Sequence, residues 1–232
     1  MKRPYKNQGF TLVELSVSVT VIAFIVAGVV EGGQLVKDAQ VRQIAANLKQ
    51  LQASVDQFQV EYKELPGDMV DAQAQFTNSS FTINNGNGDG YIQNDGEDEQ
   101  ALLHLSLAQV VPGTYSGTGN AVPGVNVVGI GSGTVIGFGS GVLYGSPIVN
   151  WMSVARPTAN STVFYQNSAL SSDDAYSLDT KIDDGIANTG RLLAFNGTDT
   201  VGGVNDVCNN GGASYLPSNS KLTCILRYIW QK

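Results

Sequence analysis

Residues 10–30 read FTLVELSVSVTVIAFIVAGVV, a run in which only Glu14 carries a charge. This run is long enough to cross a bilayer as a helix, because each helical residue adds about 1.5 Å. The charged residues that precede it, Lys2, Arg3 and Lys6, are all positive. Since basic flanks stay on the cytoplasmic side, the sequence predicts one span with its N-terminus inside and the rest of the chain outside.

The helical pattern continues past the apolar run, which a secretory signal peptide does not do. Gln, Ala, Leu and Lys favour a helix through residues 31–65, and Pro66-Gly67 ends it, so one helix is predicted from about residue 10 to residue 62. Its second half carries an apolar stripe at helical spacing. The stripe residues are Leu35, Ile44, Leu48, Leu51, Val55 and Phe58. Three glycines predict a bend, a locally melted segment or close helix packing in lipid. They are Gly28, Gly32 and Gly33.

Beyond residue 66, polar and glycine-rich stretches alternate with short Val, Ile, Phe and Tyr runs, which is typical of strands joined by loops. The predicted strands are 126–130, 134–138, 161–165, 191–195 and 223–229, and the predicted helices are 99–107 and about 171–182. The fold class is therefore α+β, with the amphipathic half of the helix packed on an antiparallel sheet. The predicted division is a leader at 1–9, a membrane half at 10–30, an amphipathic half at 31–65 and a globular domain at 66–232.

The charge and the cysteines limit the possible functions. The formal net charge is −7, and it becomes more negative without the basic leader, which disfavours binding to nucleic acid. The two cysteines, Cys208 and Cys224, predict one disulfide in an oxidising compartment. The alternative, a redox or metal-binding thiol pair, lacks the CxxC spacing.

Glu14 is a costly residue for a plain anchor, because a carboxylate in a membrane helix costs about 2.5 to 3.5 kcal/mol on insertion scales. Cleavage after Gly9 would create an α-amine on Phe10 that supplies the missing positive charge. The amine of one subunit would then reach Glu14 of a neighbour, or pair with its own Glu14 before assembly. The alternative is a plain anchor with an incidental glutamate.

The leader and the segment KNQGFTLVEL, residues 6–15, strongly resemble the N-terminal signal of type IV prepilins and type II secretion pseudopilins. The resemblance is specific over residues 1 to about 35 and implies cleavage between Gly9 and Phe10 by a prepilin peptidase. It also implies N-methylation of Phe10 and a role for Glu14 in subunit registration. The expected partners are other pilins or pseudopilins and an inner-membrane assembly platform.

The whole chain is more loosely similar to the pilin architecture, in which a long helix leads into a sheet domain with a late cysteine pair. The resemblance implies that Cys208 and Cys224 close the variable C-terminal loop. A closed loop of about 16 residues contributes roughly 3 kcal/mol in the chain-entropy model. The expected location is the inner membrane before assembly, and a periplasmic or surface filament afterwards.

The sequence NGNGDGYI at residues 85–92 approximates a calcium-binding loop. The candidate ligands are Asn85, Asn87, Asp89, Tyr91, Glu97 and Glu99. The first ligand is Asn rather than Asp, and Gly96 stands where a closing carboxylate is usual. The alternative is a surface turn whose acidic tail caps the next helix, so no cofactor is required and calcium is the one candidate.

Other motifs favour structural roles over catalysis. Residues 177–185 concentrate carboxylates, which predicts a turn or, less favoured, a second oxygen cluster. The glycines around residues 131–133 lack the Lys-Ser/Thr of a phosphate-binding loop and predict a hairpin. His104, the sole histidine, is expected to pack in a helix. Nothing here assembles a catalytic group, so we expect no enzyme.

Taken together, the sequence predicts a pilin-like structural subunit of a type IV filament. A type II secretion pseudopilin is the alternative within the class: the acidic candidate calcium loop favours it, whereas the late cysteine pair favours a pilus subunit. The alternative from another class is a monomeric, membrane-anchored binding or adhesin module, which Glu14 argues against.

Overall fold

The structure is a computed structural model that describes residues 9–77, 80–131, 133–157, 166–197, 207–216 and 221–230. The chain divides into two compact units, Met1–Ala39 and Gln40–Lys232. The first helix, α1 (Leu12–Tyr62), contributes to both units. The predicted helix is therefore confirmed, and it runs through the three glycines without a break.

The helix ends because the backbone changes hand and a turn follows. Lys63 has a φ of 62°, and its N–H still bonds the carbonyl of Gln59 at 3.0 Å. Gly67 has a φ of 91°, and a Cβ there would lie 2.3 Å from the carbonyl oxygen of Glu97. Glycine is thus required where the chain leaves α1 and passes the start of the next long helix.

Among the described residues of the second unit, five antiparallel strands form one sheet in the order β1-β2-β3-β5-β4. The strands are β1 (Val128–Ile130), β2 (Thr134–Val142), β3 (Ile148–Ala155), β4 (Leu192–Asn196) and β5 (Cys224–Ile229). The helices of this unit after α1 are α2 (Ala72–Gln75), α3 (Glu97–Leu107) and α4 (Ser172–Ile182). The α+β class is therefore confirmed.

Two features escaped the sequence prediction. Strand β3 was not predicted, although it is the central strand of the sheet. Its sequence, IVNWMSVA, mixes apolar and polar residues without simple alternation. The short helix α2 was also missed. The predicted strand at 161–165 lies outside the described residues. The glycine-rich hairpin is confirmed, since β1 pairs with β2 across residues 131–133.

Each face of the sheet has its own core. One face shares a core with the end of α1 and with α3, because alternate strand residues such as Phe138 and Met152 point to it. The other face packs Trp151 and Leu193 beneath loop residues such as Val127. Five residues of the predicted apolar stripe of α1 are buried, namely Ile44, Leu48, Leu51, Val55 and Phe58.

Leu35 was wrongly assigned to that stripe. It is 70% exposed, and the first buried residue of α1 is Val41. Helical periodicity relates residues on one face of a helix, but it does not say where along the helix packing begins.

Candidate functional site: the N-terminal segment and the acidic loop

The predicted cleavage site lies just before α1. Gly9 and Phe10 precede the helix, and Phe10 is 86% exposed. The helix is capped by a reciprocal pair: the Thr11 hydroxyl accepts from the Glu14 N–H at 3.2 Å, and Glu14 Oε2 accepts from the Thr11 N–H at 3.2 Å. The Thr11 hydroxyl also donates to Glu14 Oε2 at 3.1 Å. This arrangement is a capping box.

The capping box adds a role that the sequence prediction missed. A Thr followed three residues later by Glu is its sequence signal, and Thr11 and Glu14 have that spacing. Glu14 therefore has a local partner within its own chain while it remains exposed to others. Whether it also pairs with a Phe10 amine stays a prediction.

The apolar residues after the capping box are exposed throughout. The best 18-residue window of the helix has a mean hydropathy of 2.4, and none of it is buried in the protein. The exposed large side chains include Val13, Leu15, Val17, Val19, Val21, Ile22, Phe24, Ile25, Val26, Val29 and Val30. Such a surface is unfavourable in water, since each apolar Å² left exposed forgoes about 25 cal/mol. Length, composition and exposure together fit a membrane anchor.

The candidate calcium loop is held by hydrogen bonds from its own backbone and from the backbone of α2. Asn85 Oδ1 accepts from the Gln73 N–H at 2.9 Å, and Asn87 Oδ1 accepts from the Asp89 N–H at 2.8 Å. Asp89 Oδ1 accepts from the Tyr91 N–H at 2.9 Å. Asn87 and Asp89 thus occupy successive tight turns, where Asn and Asp are favoured for their local bonds, whereas Asn85 ties the loop to α2.

Glu97 ties the loop to the start of α3. Its Oε1 accepts from the Asn87 N–H and its Oε2 from the Gln93 N–H, each at 3.0 Å. A cleft of about 280 Å³ lies beside it, lined by Asn85, Asn87 and Glu97 among others. Asp89, Tyr91 and Glu99 do not line that cleft. The structure thus brings three of the six predicted ligands together, and calcium there stays a prediction.

Asp68 lies outside this loop but binds its backbone, and sequence reasoning missed this role. Its Oδ1 accepts from the Gly88 N–H at 2.6 Å and its Oδ2 from the Gly90 N–H at 2.8 Å, although it lies about twenty residues earlier in the chain. Only its position directly after Pro66-Gly67 hinted at a turn role. Asp68 therefore fastens the glycine-rich loop to the end of the α1 segment.

Three carboxyl groups around this loop have pKa values above their usual range, so their ionised forms are disfavoured. Burial raises the pKa of Asp68, while the Gly90 and Gly88 N–H groups oppose the rise. Burial also raises the pKa of Glu97, and the nearby Asp68 charge adds to the rise. The pKa of Asp98 is raised to about 7, mainly by burial and then by Glu99. A cation near these groups would favour their ionised forms.

Cys208 and Cys224 form a disulfide with a Cα–Cα distance of 4.8 Å. Both are fully buried, and the chain has no free cysteine. The Cys208 N–H donates to Oδ1 of Asn196, the last residue of β4, at 2.7 Å. The disulfide joins Cys208 to the first residue of β5. A buried, bonded pair of this kind acts in structure rather than in redox chemistry.

His104 is packed, as predicted. It is fully buried in α3, and its Nδ1 accepts from the Gly67 N–H at 2.9 Å. Burial lowers its pKa to about 4, so the ring stays neutral in the folded protein at neutral pH. Its role is to fix the turn after α1 against α3.

Comparison with known families adds one match. Residues 4–30 match the family described as the prokaryotic N-terminal methylation motif, which is the prepilin-type signature. No curated protein and no solved structure is significantly similar to the chain. The match covers the segment that contains Gly9, Phe10 and Glu14, whose surroundings are described above. The chain therefore carries the prepilin-type signature at residues 4–30, and this signature supports a pilin- or pseudopilin-like protein.

Proposed function

We propose that this protein is a type IV pilin-like structural subunit that polymerises through the N-terminal half of α1. The observation that carries the proposal is the exposed apolar surface of residues 10–30, directly after the methylation motif. That surface needs either lipid or the equivalent helices of other subunits to cover it. The role is one of assembly and display, and it involves no catalysis by this chain.

Processing is the first step of this function. A prepilin peptidase would cut between Gly9 and Phe10, and the new amine of Phe10 would be methylated. Phe10 is exposed and lies outside the helix, which begins at Leu12, so the peptide bond before it is accessible to a protease. Before cleavage the chain would sit in the bacterial inner membrane with its N-terminus in the cytoplasm.

Registration of subunits is the second step. The Phe10 amine of one subunit would pair with Glu14 of its neighbour, in competition with the Thr11 N–H that Glu14 accepts from in the free chain. A charged pair gains more than a neutral hydrogen bond in a poorly hydrated filament core. Replacement of the Thr11–Glu14 hydrogen bond by an ion pair between Glu14 and the neighbour's Phe10 amine would thus favour the assembled state.

The test of processing is intact-mass and N-terminal analysis of the protein from its native membrane fraction. We expect a chain that begins at Phe10 and carries one additional methyl group. A chain that begins at Met1 would contradict processing and favour a plain anchor.

The test of assembly compares Glu14→Ala with Glu31→Ala, the control that removes the next carboxylate along the same exposed helix. We expect Glu14→Ala to reduce the subunit in purified filaments at least tenfold, and Glu31→Ala to change it little. Equal incorporation of both variants would overturn the proposed role of Glu14. Recovery of the wild type only as a membrane monomer would favour the anchored binding module.

The same preparation distinguishes a pilus from a type II secretion system. Presence of the subunit in sheared surface filaments supports a pilus, and its retention in the periplasm together with a secretion defect on deletion supports a pseudopilin.

Calcium in the 85–99 loop would be a structural ion, and the cleft beside Glu97 supports that placement.

A further inference from the structure

Three carboxylates gather at the C-terminal end of α4, away from the acidic loop discussed above. Asp179, Asp183 and Asp184 each offer an oxygen, and these atoms all lie within 4.8 Å of one another. Two oxygens that bind one calcium ion at about 2.4 Å can be at most about 4.8 Å apart. The spacing therefore suits three ligands of a single ion.

Asp179 is the member that most needs a partner. It is fully buried, and its Oδ2 accepts from the Tyr215 hydroxyl at 2.8 Å. Its Oδ1 has no hydrogen-bond partner of normal geometry among the residues that the structure describes, and the backbone N–H of Gly185 is the one other group that favours the ionised carboxylate. A buried carboxylate oxygen without a partner is costly, and the cost grows when other carboxylates lie nearby. A bound cation would remove both costs.

The other two carboxylates already hold the turn in place. Asp183 Oδ2 accepts from the Leu192 N–H at 3.2 Å and also from the Arg191 N–H. Asp184 accepts from the Ile186 N–H at 2.9 Å and from the Thr189 hydroxyl at 2.7 Å. Each carboxylate oxygen has a second lone pair, so these bonds leave capacity for an ion.

The helix itself favours a cation at this point. The C-terminal end of α4 carries the negative end of the helix dipole, and Asp183 is its C-cap residue. Lys181 is the basic residue of the last turn, and its Nζ donates to the Ser177 hydroxyl at 2.7 Å. Positive charge from an ion would complement both the dipole and the carboxylates.

We propose that Asp179, Asp183 and Asp184 bind a hard divalent cation such as Ca²⁺. Oxygen-only ligands select hard cations over transition metals that prefer nitrogen or sulfur. The ion would join the end of α4 to the start of β4 through Asp183, and to the segment at residues 207–216 through Asp179 and Tyr215. It would thereby stabilise the part of the domain that the disulfide closes.

The test is calorimetric titration of the full-length, detergent-solubilised protein, stripped with EDTA, with CaCl₂ and separately with MgCl₂. Asp179→Asn removes the buried charge but keeps an oxygen acceptor for Tyr215. Asp173→Asn is the matched control, because it neutralises a carboxylate in the first turn of the same helix. Glu97→Gln reports on the separate acidic loop.

We expect Asp179→Asn to bind one ion fewer per chain than the wild type, and Asp173→Asn to bind the full number. Calcium should also raise the Tm of the wild type and the control but not that of Asp179→Asn. Equal stoichiometry and affinity in wild type and Asp179→Asn, or loss of every site in Glu97→Gln alone, would overturn the proposal. So would a wild type that binds neither cation.

A second measurement does not depend on the folding of an Asp179 variant. Terbium occupies calcium sites and emits when a nearby tyrosine is excited, and the Tyr215 hydroxyl lies 2.8 Å from Asp179. The Tyr176 ring is also close, with its centroid 5.8 Å from that of Tyr215. We expect emission to fall severalfold in the double variant Tyr176→Phe/Tyr215→Phe and to persist in Tyr91→Phe, which changes the acidic loop. Unchanged emission in the double variant would contradict the site.

Discussion

Phe24 and Phe58 belong to the same helix, yet Phe24 is 76% exposed and Phe58 is fully buried. Both lie in segments that favour helix by composition, so their local structure is the same. They differ in what covers them: the sheet domain covers the face that contains Phe58, whereas the described chain offers nothing to cover Phe24. One half of the helix is thus satisfied within the chain, and the other half requires lipid or another subunit.

Substitution of the two phenylalanines should give the largest contrast. Phe58→Ala leaves a cavity in the core and should lower the free energy of unfolding of the domain by about 3–5 kcal/mol. Phe24→Ala should change it by less than about 0.5 kcal/mol. The two tryptophans, Trp151 and Trp230, are both buried in the second unit, so their fluorescence during denaturation reports on the domain alone. A similar loss of unfolding free energy in both variants would contradict the difference between the two halves of the helix.

A pH titration tests the buried half of this contrast, because His104 lies in the core and burial lowers its pKa to about 4. The unfolded chain takes up this proton near pH 6.5, before the folded chain does. The stabilising contribution of His104 is therefore complete above pH 6.5 and is lost as the pH falls towards 4, by up to about 3 kcal/mol.

The measurement is the difference in unfolding free energy between the wild type and His104→Asn at pH 7.5 and at pH 4.5. The difference should shrink in acid, and taking it between two variants cancels groups such as Asp98, whose pKa is shifted in the opposite direction. A difference that does not depend on pH would contradict a buried, neutral His104.

Close packing in the sheet predicts a smaller effect. Gly139 in β2 lies directly opposite Trp151 in β3. A Cβ on Gly139 would lie 2.5 Å from the Trp151 ring. Gly139→Ala should therefore destabilise the domain by about 1–3 kcal/mol. Gly141→Ala, in the same strand, is the control, because its Cβ would meet that ring only at 3.9 Å. Equal denaturation midpoints for both variants would contradict this packing.

The smallest effect should appear in the exposed half. Thr11→Ala removes the capping hydroxyl and should weaken the first turn of α1 by about 1 kcal/mol, whereas Thr11→Ser retains the cap. Hydrogen exchange of the amides of residues 12–15 in detergent should accelerate about fivefold in the alanine variant. Trp fluorescence denaturation should be unchanged in both variants. Faster exchange in the serine variant would argue that the hydroxyl is not the cause.

Prediction from sequence succeeded where a pattern is local. The apolar start of the first helix, the continuation of that helix to Tyr62 and the hairpin of β1 and β2 all follow from periodicity and glycine placement. Strand β3 was missed because it is buried in the centre of the sheet and mixes Asn150 and Ser153 with apolar residues. Asn150 is polar there because its Oδ1 accepts from the Ile92 N–H at 2.9 Å, a contact between distant segments.

The candidate sites divide in the same way. The processing motif is contiguous, so Gly9, Phe10 and Glu14 can be identified as candidates from the sequence alone, and the presence of two cysteines predicts the disulfide. Only the tertiary structure placed Asp68 on the acidic loop and Tyr215 on Asp179, because each of these pairs is separated by at least twenty residues. It also decided where along α1 burial begins, since burial depends on which surface the folded domain supplies and not on the helix's own pattern.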